Sequence, residues 1–190
     1  MFAVLLICAA PIVASYFMYY VVRPEGRRNY GDLIEPQRAL PDAPAWGLDG
    51  GVRKFADLKG QWLLLSVAGA ACDEACKNHL YMQRQLRESM GKEKDRMDWV
   101  WLISDQAAVP DWLLPALKGA TVLRASPEAL AAWLAPAPGH PLSDHLYLVD
   151  PLGNLMMRFP AALDASQVAG ARRDLERLLR ASASWNVPRR

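Results

Sequence analysis

The chain has 190 residues, 52% of them hydrophobic, and a formal net charge of +2 at pH 7 from 22 basic and 20 acidic side chains. No long charge run and no basic patch interleaved with aromatics occurs, which excludes an argument for nucleic-acid binding. Three cysteines are too few for a disulfide framework, so a hydrophobic core must hold the fold.

Met1 to Val22 carries no charged side chain. As a helix rising about 1.5 Å per residue it reaches about 33 Å, enough to cross a bilayer core. Tyr16, Tyr19 and Tyr20 gather at its far end, where amphipathic rings favour a membrane interface. A membrane helix tolerates Pro11. A cleaved signal peptide fits less well, because the run is long and has neither a basic start nor an A-x-A site. The expectation is an uncleaved single-pass anchor over residues 1–22. Its orientation is contradictory. Arg23, Arg27 and Arg28 follow it, and the positive-inside rule then keeps the domain in the cytoplasm. A reactive thiol pair instead suits a domain exported from the cytoplasm. A true start upstream of Met1 would relieve the conflict.

Residues 23–45 read as an extended linker, given Pro24, Pro36, Pro41, Pro44, Gly26 and Gly31. The remainder suits one domain of roughly 140 residues, expected over 46–181, with a flexible tail over 182–190. Trp46 to Leu58 reads as a hairpin around Asp49-Gly50-Gly51. Trp62 to Ala68 is apolar on both faces, as in a central strand covered by helices on each side. Two cysteines follow, Cys72 and Cys76, with three residues between them. Asp73 is the N-cap of the next helix and places Cys76 at its third position. That helix repeats apolar residues at 3–4 spacing from His79 to Met90 and stops at Gly91.

Met97 to Ile103 is the next strand, Val109 to Leu117 a short helix and Thr121 to Arg124 a short strand. Ser126-Pro127-Glu128 opens a helix to Leu134, with Ser at N-cap and Pro at its first position. His145 to Val149 and Leu155 to Phe159 are strands about the turn Asp150–Asn154, a hairpin at the sheet edge. Asp164 to Arg180 is an amphipathic helix with arginines on its outer face. The order is hairpin, β, α, β, α, β, α, ββ, α. The expected fold is α/β, a thioredoxin-like mixed sheet flanked by helices.

The chemistry lies at Cys72 and Cys76. A helix N-terminus favours anions and biases Cys76 toward thiolate. Two sulfurs so placed can join as a redox disulfide or converge on one soft ion, Cu(I) or Zn. Asp73 and Glu74 oppose a free thiolate and favour a bound cation. A third ligand comes from the three histidines: His145 first by position, His140 second, and His79, three residues past Cys76, third. Each is otherwise an ordinary structural or surface histidine.

GQWLLLSVAGAACDEAC, the later MDWVWLISD and SDHLYLVDPLGNLMMRF resemble the Sco/SenC-type assembly proteins of cytochrome c oxidase. The likeness runs from about Trp46 to Leu179. It implies a membrane-anchored, thioredoxin-like domain in the periplasm. It implies that Cys72 and Cys76, with a distant histidine, bind copper. Partners are then an oxidase subunit or a copper donor. The family places Pro before the second cysteine, where this chain has Ala75, and its histidine falls near Leu142, between His140 and His145. A two-coordinate Cu(I) site or a redox role without metal therefore stays open. So do a thiol–disulfide reductase acting on oxidase or cytochrome precursors and a non-catalytic assembly scaffold.

Overall fold

The computed structural model describes residues 2–22, 29–161, 163 and 167–184. Helix α1 spans Phe2–Phe17 and runs into a π-helical stretch, Met18–Val22. Among the described residues no helix is long and apolar enough to cross a membrane. The strands are β1 Asp32–Ala39, β2 Pro44–Gly47, β3 Val52–Lys54, β4 Trp62–Ala68, β5 Met97–Ile103, β6 Thr121–Arg124, β7 Tyr147–Val149 and β8 Asn154–Arg158. Helices α2 Glu74–Ser89, α3 Pro127–Trp133 and α4 Val168–Ala181 cover them.

The strands form one sheet in the order β1-β8-β7-β4-β5-β6-β2-β3. Its middle, β4-β5-β6, is parallel, and every other pairing is antiparallel. Strand β4 is central because it is apolar in both directions. Leu63, Leu65 and Val67 enter the core under α3, with Leu130 and Trp133. Trp62 and Leu64 enter the opposite core with Leu86 of α2 and Leu175 and Leu179 of α4. Each fully buried leucine contributes about 2 kcal/mol, so neither layer is dispensable. Buried Gln83 fastens α2 to the sheet. Its amide donates to the carbonyls of Leu64 (2.7 Å) and Val100 (3.0 Å), and it accepts from the Ser66 hydroxyl (3.0 Å). Gly91, at φ +57°, ends α2 in the left-handed conformation that glycine adopts without steric cost.

Three expectations are corrected. The stretch expected as linker contributes β1, which pairs with β8 through Asp32–Arg158 and Leu33–Met157. Its prolines mislead because one of them, Pro36, sits at the irregularity between Leu33 and Arg38 in that pairing. The β7–β8 hairpin is consequently interior, since β1 covers its outer strand. The tail does not loosen at residue 182. Ser182 is buried, accepts from the Trp62 indole (3.0 Å), and its carbonyl accepts from Arg96 (2.8 Å). Residues 23–28, the expected helix start at Asp164–Ser166 and the tail from 185 lie outside the described residues.

Candidate redox and metal centre

Strand β4 ends at Ala68, and the chain turns through Gly69 and Ala70 before the first cysteine. Asp105, just beyond β5, clamps this turn: its carboxylate accepts from the Ala70 amide at 3.1–3.2 Å. Arg124 of β6 holds Asp105 in place by donating to its carbonyl (2.8 Å). The Cys72 amide donates to the Gly69 carbonyl (3.1 Å). Cys72 itself has φ +46° and is the only described non-glycine residue with positive φ. For a side chain with a Cβ this is a sparsely populated conformation, held here by the surrounding bonds.

Asp73 caps α2, its side chain accepting from the Cys76 amide at 2.9 Å. Cys72 and Cys76 are joined as a disulfide with Cα atoms 5.1 Å apart. Both are 3–4% exposed, packed with Ala70, Leu80, Trp99, Trp101 and Ile103. They nevertheless line a cleft of about 280 Å³, together with Ala68, Gly69, Asp73, Ser143 and Asp144. Two carboxylates line this cleft and no basic side chain does. That lining attracts cations and opposes thiolate formation, offsetting part of the helix N-terminus effect.

Ser143 and Asp144 escaped the sequence reading. They belong to a 3-10 turn, Leu142–Asp144, that faces the cysteines across the cleft. Tyr147 steadies this turn by donating its hydroxyl to the Leu142 carbonyl (3.3 Å), and burial pushes its phenol pKa upward. The only sequence signal was the position near Leu142 at which the resemblance placed a ligand.

The structure does not offer His145 as a ligand. It is 2% exposed, with Nδ1 2.9 Å from the Phe159 carbonyl and Nε2 accepting from the Ala137 amide at 3.2 Å. This pattern requires the neutral tautomer with the proton on Nδ1, and both nitrogens are engaged. Burial holds its pKa below the usual histidine value. His140 is exposed and paired through Nδ1 with Asp144 (2.8 Å). His79 is buried on α2, its pKa lowered by burial while the nearby Asp144 and Asp73 charges pull the other way. Its backbone is held within α2, and its ring is engaged by no side-chain hydrogen bond among the described residues. The described residues contain no ready-made group of three His, Cys, Asp or Glu for a metal. Two thiolates of the reduced pair remain a fitting donor set for a soft monovalent ion.

Residues 62–182 match the family model described as the transmembrane-like, thioredoxin-like, C-terminal domain. No curated protein matches in sequence. Among solved structures the fold is shared with yeast Sco1 with copper bound (13% identity, TM-score 0.59, 77% of this chain and 95% of that one). It is shared with a SCO1/SenC family lipoprotein from Bacillus anthracis (16%, 0.56, 76% and 98%). The thioredoxin domain of a thiol-disulfide oxidoreductase from Bacteroides vulgatus also has it (14%, 0.52, 72% and 94%).

Proposed function

The chain belongs to the family of transmembrane-like, thioredoxin-like C-terminal domains, and on that premise we propose that it is a Sco-type copper-handling factor in cytochrome c oxidase assembly. Reduced Cys72 and Cys76 hold one Cu(I) as cargo. The observation that carries this reading is the cleft lining: both cysteines border it beside the carboxylates of Asp73 and Asp144, with no basic side chain in the lining. Both nitrogens of His145 are taken, so a third ligand would come from His79, three residues past Cys76, or from His140, paired with the cleft-lining Asp144. The uncharged N-terminal segment holds the domain at the bacterial inner membrane, with the thiols in the periplasm and the client an oxidase subunit or a copper donor. That anchor is supported by the length and composition of residues 1–22.

The test is copper stoichiometry. The reduced chain retains one Cu(I) per molecule against a mild chelator, and Cys72→Ser and Cys76→Ser each lose it. A reduced wild-type chain that surrenders all its copper to that chelator ends the reading.

A second reading is favoured by the closed Cys72–Cys76 bond: a thiol–disulfide reductase acting on oxidase or cytochrome precursors. It predicts a pair that equilibrates reversibly with glutathione buffers, and a pair fixed in one redox state excludes it. A scaffold without chemistry is distinguished from both by a Cys72→Ser/Cys76→Ser chain that still supports oxidase assembly.

A further inference from the structure

One turn along α2 from the cysteines, a second groove of about 250 Å³ opens against the 3-10 segment Asp111–Leu117, lined by Lys77, Leu80, Tyr81, Arg84, Trp112 and Leu113. Tyr81 and Trp112 are each 58% exposed, although both are large and apolar enough to be buried. The cations sit at its rim and no carboxylate lines it. Lys77 stands over the Trp112 ring, its Nζ 5.1 Å from the centroid, while also paired with Glu74. Arg84 forms no close ion pair among the described residues, and its charge reaches only as a longer-range attraction to Glu88 one turn along α2. Leu80 and Leu113, in the wall of this groove, pack in the same cluster as Cys72 and Cys76. The groove and the sulfurs are therefore two openings beside one packed wall.

We propose that this groove docks the client of the thiol pair. The occupant is a polypeptide segment that carries an aromatic or branched apolar side chain and a carboxylate next to its own cysteine. The apolar side chain covers Trp112 and Tyr81, the carboxylate meets Arg84, and the client's sulfur reaches the cleft one helical turn away. A second copy of the chain is a poor occupant, because a two-fold contact on this face brings together two grooves that carry Lys77 and Arg84 and no carboxylate. The proposal rests on the reading of Cys72 and Cys76 as a working thiol pair. In the exchange step, a thiolate of the reduced pair attacks the client disulfide and releases one client thiol. The second sulfur of the pair then displaces the other. Two electrons and two protons pass to the client, and the Cys72–Cys76 bond closes.

The test uses the reduced full chain and two single-cysteine peptides, each a mixed disulfide with glutathione. One reads Phe-Asp before its cysteine and the other Ser-Asn. The wild type reduces the first faster by about tenfold or more. Trp112→Ser abolishes the preference, and Arg84→Glu weakens or reverses it. Both variants reduce glutathione disulfide at the wild-type rate. Equal peptide rates in the wild type, or a preference that survives both variants, overturns the groove assignment. If Trp112→Ser fails to fold, Tyr81→Ser and Arg84→Glu decide in its place. Self-association that a groove variant abolishes gives the groove to a second copy and overturns the client. A chain that reduces neither glutathione disulfide nor either peptide overturns the thiol reading beneath the proposal. Normal reduction of glutathione disulfide without peptide preference overturns the groove alone.

Discussion

His145 shows how a side chain's place along the chain can be read before its partners can. Its position before a late strand was visible in the sequence, but its ring orientation was not. That orientation depends on an amide from Ala137 and a carbonyl from Phe159, which only the folded chain brings together. The cysteine spacing and the Asp73 cap were legible because they are local: the five consecutive residues Cys72–Cys76 decide them. Ser143 and Asp144 were not, since they reach the cleft through the sheet and carry no motif of their own. The two buried histidines have a thermodynamic consequence. Both have folded-state pKa values below the ordinary 6.5. Between the depressed values and 6.5 the unfolded chain binds more protons, so stability is full above that window and falls as pH drops through it. Urea unfolding of the oxidised chain should therefore show a lower midpoint at about pH 5 than at about pH 7.5. His145→Gln should flatten that dependence, and a midpoint insensitive to pH would contradict it.

At the scale of elements, α2 depends on Gln83 as well as on its apolar stripe. Periodicity announced the helix and set Gln83 among its core positions, but not the bonds that its amide makes to the sheet. Gln83→Leu leaves the Ser66 hydroxyl unpartnered and should cost about 1–3 kcal/mol in urea unfolding, with m unchanged. The entry of the chain into β1 depends on α4 in a similar way. Buried Asp174 accepts from the amides of Tyr30 (2.6 Å) and Gly31 (3.0 Å), and the Tyr30 ring lies where a Cβ on Gly170 would stand, 2.6 Å from its Cγ. Gly170→Ala should destabilise the fold by about 1–3 kcal/mol through overpacking. It should also speed amide exchange at Tyr30 and Gly31, and unchanged exchange would show that the ring has room to move.

For the whole molecule, alternation of strands and helices was enough to predict a mixed sheet, because a strand that is apolar on both faces demands two covering layers. Edge strand β1 was hidden by its own composition: Pro36 reads as linker, yet an edge strand tolerates proline where no ladder bond is required. Strand β1 shields β8, whose outer edge would otherwise present unpaired amides and carbonyls. A chain truncated to begin at Pro41, which removes β1 and keeps β2, should self-associate in sedimentation more than one beginning at Asn29. A monodisperse truncation would show that β1 is dispensable. One further property follows from the wall behind the cysteines. Trp99 and Trp101 pack in the same cluster as the sulfur bridge, and a disulfide quenches indoles that pack near it. Opening it should brighten the indole emission, so the molecule reports its own oxidation state optically, without any added dye.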